Sequence, residues 1–368
     1  MTPPARSDLT SVHTHSLGEL LTGGRFSLMG ELLTGGRFSL MVSTYQAGKL
    51  ILVRADGGTV NTHFRQYSRP MGMAVDQTRL ALGTAHELVE FYNLEAVAPK
   101  LEPQGKHDAC YLIRNIHITG DIDIHEMGWS KDELWIVNTR FSCLCTPDLA
   151  YSFVPRWRPP FISGYSPDDR CHLNGLAIVD DKPKYVTALG TTDTGGGWRE
   201  NKAVGGIIMD VPSSKFVCRG LSMPHSPRWY DGKLWVLESG QGSLATVDID
   251  TGQVTTVAQF PGFTRGLDFY GPYAFVGLSQ VRESATFGSI PLVERLTERT
   301  CGVWVVDIRT GQTVAFLKFE SGVQEIFAVS VLTHSTFPEV LEPTSDFLKT
   351  SYALPDEALK DVAMPAGY

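Results

Sequence analysis

One unit of grammar recurs along this chain and limits its architecture more than any other feature. A short apolar segment is followed by a turn, a second apolar run and a polar loop. It is visible in "MGMAVDQTRLALGTAHELVEFYNL", "HEMGWSKDELWIVNTRFSCLCTPDL", "HLNGLAIVDDKPKYVTALGTTDTGGGW", "HSPRWYDGKLWVLESGQGSLATVDIDTGQVTTVAQF" and "TRGLDFYGPYAFVGLSQVRES". The runs alternate, are rich in Val, Ile, Leu, Trp and Tyr, and are separated by Asp/Gly turns, which is the signature of strands and hairpins. "VDIDTGQVTTV" and "VDIRTGQTVAF" are near-copies of a strand, a Thr-Gly turn and a strand. Unit starts lie about 40 to 55 residues apart, the period of four-stranded propeller blades. No sustained helical period occurs between residues 42 and 335.

Five blades follow directly, with inner strands expected near Pro70, Ile124, Cys171, Pro224 and Phe263. A sixth is split. "VQEIFAVSVL" is an inner strand with no partners after it, while "FSLMVSTYQ", "KLILVRA" and "TVNTHFRQY" are three strands with none before them. Joining the two ends removes the sheet edges that an open array would expose. The fold class is therefore all-β: a six-bladed β-propeller closed by N- and C-terminal strands that share the last blade. Residues 18–41 hold a verbatim duplication, "GELLTGGRFSLM" twice. Only the second copy, 30–41, is in register with "VSTYQAGKL". The expected organisation is a flexible extension over 1–37, the propeller over 38–345 and a tail over 346–368.

Composition removes some functional classes. The chain is 42% hydrophobic and 20% charged with a diffuse net charge of −8 and no Lys/Arg run. Nucleic acid and anionic membrane surfaces thus lack an electrostatic driver. No apolar stretch nears the roughly 20 residues of a membrane span, and the N-terminus lacks the order of a signal peptide. The cytoplasm is the expected location, with Cys143, Cys145 and Cys171 as buried thiols.

Aligning the inner strands on a shared small-residue position places Arg69, His125, His172, His225, Phe263 and Glu325 in one column, three residues earlier. Equivalent positions on successive blades form a ring about the axis, so three imidazoles and a carboxylate can meet at one point. An isolated His at a strand start is usually structural, but three in one aligned column are not independent. His125, His172, His225 and Glu325 are the expected ligands of one mononuclear transition metal ion, with iron or copper favoured over zinc or manganese. Glu126 should point the other way by strand alternation. Loops at the same face bring Tyr45, Arg140, Arg199 and Arg282 to the mouth as candidate catalytic groups. Arg69, Trp198, Gln241 and Phe263 are candidate substrate contacts. Several guanidinium groups imply a small or peptide-borne, carboxylate-bearing substrate. The long Gly-rich insert around Trp198 is a candidate lid.

The motifs "STYQAGKL", "SFVPRWRPPFIS", "DRCHLNGLA", "GGWRENK", "MPHSPRW" and "CGVWVVD" resemble an uncharacterised bacterial family catalogued as a domain of unknown function, sometimes found alongside tetratricopeptide-repeat proteins. The resemblance runs from about Phe38 to Pro343 and implies no established activity. By architecture alone, the histidine ring is similar to those of carotenoid-cleaving oxygenases, with four His on iron, and of the peptidyl-hydroxyglycine lyase domain, with three His on zinc. Three functions follow as expectations: a metal-dependent oxidoreductase using O₂, a zinc or manganese lyase or hydrolase, and a non-catalytic binding scaffold.

Overall fold

The structure, a computed structural model, describes residues 11–13, 17, 37–56, 59–281 and 288–360. Six small antiparallel sheets make up nearly all of it. From the axis outward, the first blade is Met73–Val75, Arg79–Gly83, Glu87–Asn93 and Ala109–Ile118. The second is Ile124–Ser130, Glu133–Asn138, Cys143–Thr146 and Val154–Trp157; the third is Leu173–Val179, Lys182–Ala188, Gly206–Asp210 and Lys215–Leu221. The fourth is Pro224–Tyr230, Lys233–Glu238, Ser243–Val247 and Val254–Gln259; the fifth is Phe263–Tyr270, Tyr273–Ser279, Cys301–Asp307 and Gln312–Phe319. The sixth joins the C-terminal Ala328–Thr333 to Phe38–Thr44, Lys49–Asp56 and Thr59–Gln66. Its seam runs from Phe38 opposite Thr333 to Ser43 opposite Ala328. The six-bladed propeller with a shared closing blade is thus the fold.

Alternation in each strand buries two apolar faces, and each face meets the neighbouring blade. One such layer holds Met41 and Leu52 of the closing blade against Met73, Leu82 and Phe91 of the first. Another holds Ile208 and Tyr185 of the third against Leu234 and Val236 of the fourth. The shared small position is where inner strands touch around the axis. A Cβ on Gly72 would stand 3.0 Å from the His125 carbonyl carbon, and one on Gly175 only 2.3 Å from Pro227 Cδ.

Two segments add to the ring. Ser11–His13 pairs antiparallel outside Gln312–Phe319, and Leu17 is fully buried in the layer between the closing and fifth blades. Part of the stretch expected as a free extension is therefore packed. Pro338–Val340 runs parallel to Ala109–Tyr111 as a fifth strand of the first blade. The first duplicated copy lies outside the described residues, whereas Phe38–Met41 of the second copy is in the seam strand. All six cysteines are buried and unpaired. No helix among the described residues is long and apolar enough to cross a membrane.

Candidate functional site

The inner strands enter the ring through left-handed turns, and these turns set the imidazoles. Asp123 (φ 56°) and Met223 (φ 48°) lie two residues before His125 and His225. Each folds its carbonyl back onto the ring. His125 Nδ1 lies 3.1 Å from Asp123 O and 2.9 Å from Thr139 Oγ1. His225 Nδ1 lies 3.0 Å from Met223 O and 2.9 Å from Ser239 Oγ. Thr139 in turn donates to Leu173 O and Ser239 to Thr264 O, carbonyls of the next blade in each case. A carbonyl can only accept and both hydroxyl protons are committed, so Nδ1 of each ring carries the hydrogen. The bare lone pair is on Nε2.

His172 reaches the same state by another route. It is itself left-handed (φ 51°), and its Nδ1 lies 3.0 Å from both carboxylate oxygens of Asp169. Asp169 also accepts from Trp198 Nε1 at 3.0 Å. The Trp198 ring leans over His172 at 4.4 Å between centroids, and His125 meets His172 edge-on at 4.7 Å. Burial first, and the Arg265 charge second, hold His125 and His225 well below the usual imidazole range. Both are neutral at pH 7.

These rings line one cavity of about 280 Å³ at the mouth of the axis, with Tyr45, Arg69, Trp198, Arg199 and Phe263. That volume sits at the low end of small-molecule sites. The insert bearing Trp198 is fastened, since Trp198 is buried and Gly190 packs directly against its Cβ.

Glu325, Arg140 and Gln241 lie elsewhere. Glu325 does not join the imidazoles: its Oε2 accepts from Thr44 Oγ1 at 3.1 Å and from the Gln46 amide at 3.2 Å. Before Ala328 the chain is not yet strand, and the Phe327 amide bonds Ser43 O while the Ile326 amide bonds Ser279 Oγ. Arg69 and His172 also precede their strands yet line the cavity, so the bonds to Thr44 and Gln46 are what hold Glu325 away from it. Arg140 bonds Asp121 at 2.6 Å, and neither it nor Gln241 lines the cavity. The Gln241 carbonyl accepts from Arg295. Arg282 lies outside the described residues. Glu126 does not line the cavity and holds Arg228 of the fourth blade through two bonds of 3.0 and 3.2 Å.

As the side chains stand, no set of three or more His, Cys, Asp or Glu among the described residues is disposed to hold a metal ion. The four-ligand centre expected from the column is corrected accordingly, with Glu325 removed from it. The three imidazoles nevertheless match metal ligands in having Nδ1 tied to a partner, with Nε2 left for an ion.

Arg265 and Phe327 were not anticipated. Both lie two residues beyond a column position, as does Met71, and all three line the cavity. The Arg265 guanidinium lies over the Phe327 ring, 3.6 Å from its centroid. Its Nη2 is buried with no hydrogen-bond partner.

No curated protein matches the chain. Among solved structures, one from a nidogen/laminin complex is 7% identical with a TM-score of 0.52, covering 80% of this chain and 98% of its own. A Bacteroides caccae protein of unknown function is 8% identical with a TM-score of 0.51 over the same shares. At such identities the likeness is one of fold alone. A family described as a domain of unknown function (DUF4915) matches residues 27–341, and the chain belongs to it.

Proposed function

We propose that the axial cavity is the active site of an enzyme acting on a small or peptide-borne anionic substrate, and that His125, His172 and His225 take a transition metal ion there. The observation that carries this reading is the tautomer pattern. Three rings from three consecutive blades each commit Nδ1–H to a different partner. Structural histidines have no need to leave three acceptors bare around one cavity.

The spacing of the first pair agrees. Two imidazoles bound through Nε2 at about 2.1 Å place their centroids roughly 4.5 to 5.2 Å apart for ligand angles of about 90 to 109°. His125 and His172 stand at 4.7 Å, nearer the right-angled end. That end suits five- or six-coordinate iron or copper better than tetrahedral zinc. Such an ion supplies redox chemistry with O₂, whereas zinc or manganese supplies Lewis acidity for lyase or hydrolase chemistry. The reading requires the three imidazoles together to draw closer than they stand.

A metal-free reading is favoured by one contact, Asp169 on His172. The carboxylate fixes the tautomer and supports positive charge on the ring, so Nε2 of His172 can remove a substrate proton. Elemental analysis after chelator-free purification separates the two. The metal reading expects about one ion per chain, lost in His125→Ala, His172→Ala and His225→Ala and kept in Glu325→Gln. A protein that takes up no iron, copper, zinc or manganese rejects it in favour of the base.

A further inference from the structure

Building on the axial cavity as the active site, we infer that Arg265 anchors a substrate carboxylate and that the substrate is a monocarboxylate with an apolar body. The cations at the mouth are not equivalent. Arg140 is taken by Asp121 at 2.6 Å, and Arg69 faces Asp123 at 3.5 Å and Asp121 at 3.9 Å. Arg199 lies against the Trp198 ring with Asp169 at 3.7 Å. Arg265 alone among these has no carboxylate within ion-pair distance among the described residues, and a buried Nη2 without a partner. A guanidinium left so is costly, and an incoming anion supplies the missing partner.

The chemistry of the anion follows from the donors around it. Stacking on Phe327 covers one face of the guanidinium and leaves its in-plane N–H fork for two coplanar oxygens. The imidazoles cannot help, because their Nδ1–H groups are turned away and Nε2 offers only lone pairs. A planar carboxylate matches the two-pronged fork, whereas a tetrahedral phosphate leaves oxygens that the fork does not meet. Beyond it the wall includes Met71, Leu189, Met223 and Phe263, and among the described residues the rim arginines Arg69 and Arg199 already face carboxylates, so neither is left free for a second carboxylate. The acid enters head first and lays its carbon chain beside the imidazoles.

Titration calorimetry on the full chain tests this with hexanoate and 3-phenylpropionate, their primary amides and inorganic phosphate. The acids should bind at least about tenfold more tightly than the amides, and Arg265→Met should erase that preference. Metal content should be unchanged in Arg265→Met, which separates this inference from the metal reading. Acid-selective binding to a metal-free protein would sink that reading and leave the anchor standing. The anchor is overturned if neither acid binds at millimolar concentration, if acid and amide bind alike, if phosphate binds more tightly than both acids, or if Arg265→Met keeps the preference. The acid–amide comparison uses the unaltered protein and stands even if the variant does not fold.

Discussion

A buried ion pair joins the inner strands of the second and fourth blades, and its energetics can be taken apart. Arg228 extends from the fourth blade to Glu126 of the second, with bonds of 3.0 and 3.2 Å, and donates to Pro227 O at 2.9 Å. Glu126 is 4% exposed, and burial pushes its pKa up despite the guanidinium beside it. Asp268 is the other carboxylate whose field Arg228 feels. In Glu126→Leu the guanidinium loses both bonds and keeps only carbonyls and that more distant charge. Breaking a buried pair in this way costs about 3–5 kcal/mol. At about 2 °C per kcal/mol for a large domain, thermal unfolding should fall by roughly 6–10 °C. Replacing both partners, as Glu126→Leu with Arg228→Met, removes the uncompensated charge along with the attraction, so most of the loss should return. Differential scanning calorimetry of the wild type, both single variants and the double variant closes the cycle. A double variant no more stable than Glu126→Leu alone would refute the reasoning, because the cost would then lie in packing rather than in an orphaned cation.

Three further outcomes are expected. Thr139→Val with Ser239→Ala removes the hydroxyls that support two imidazoles, and metal affinity should drop about 10–100-fold in competition with a chelator. Burial pushes the Glu325 carboxyl up to about 7 from 4.5, so the folded state holds its proton more tightly than the unfolded state and stability falls as pH rises through that window. Ionised Glu325 then costs about 3 kcal/mol, and Glu325→Gln should raise the unfolding temperature at pH 8 but not below pH 4.5, with metal content unchanged. Gly175→Ala should destabilise by roughly 1–3 kcal/mol in denaturant titration, since its Cβ would stand 2.3 Å from both Pro227 Cδ and Thr187 Oγ1.

The ring was legible because its determinants are local. Period-two alternation and Asp/Gly turns define each blade, and a strand without partners at each end can be satisfied only by closure. The column of histidines was legible for the same reason, as strand positions repeat from blade to blade. Glu325 departs from the column because the Thr44 hydroxyl and the Gln46 amide of the closing blade hold its carboxylate, a contact between the two ends of the chain that no strand pattern announces. Arg265 falls outside the histidine column because it stands at a different level of the axis. Two residues on from Phe263, it shares that residue's side of the strand one step deeper, and the Met71 and Phe327 alignment carried that signal. The Nδ1 partners were beyond the sequence, since Thr139 and Ser239 meet the rings only through blade-to-blade packing.

The seam between Phe38–Thr44 and Ala328–Thr333 also sets when the axial cavity can be completed. A nascent chain emerging from the ribosome can stack five blades but has nothing to offer the first strand until the last one is synthesised. Tyr45 and Phe327, which face each other at 5.7 Å on the cavity wall, come from opposite ends of translation. The pocket is therefore a late product of biogenesis, and a chain that ends before Ala328 lacks the strand that closes the ring.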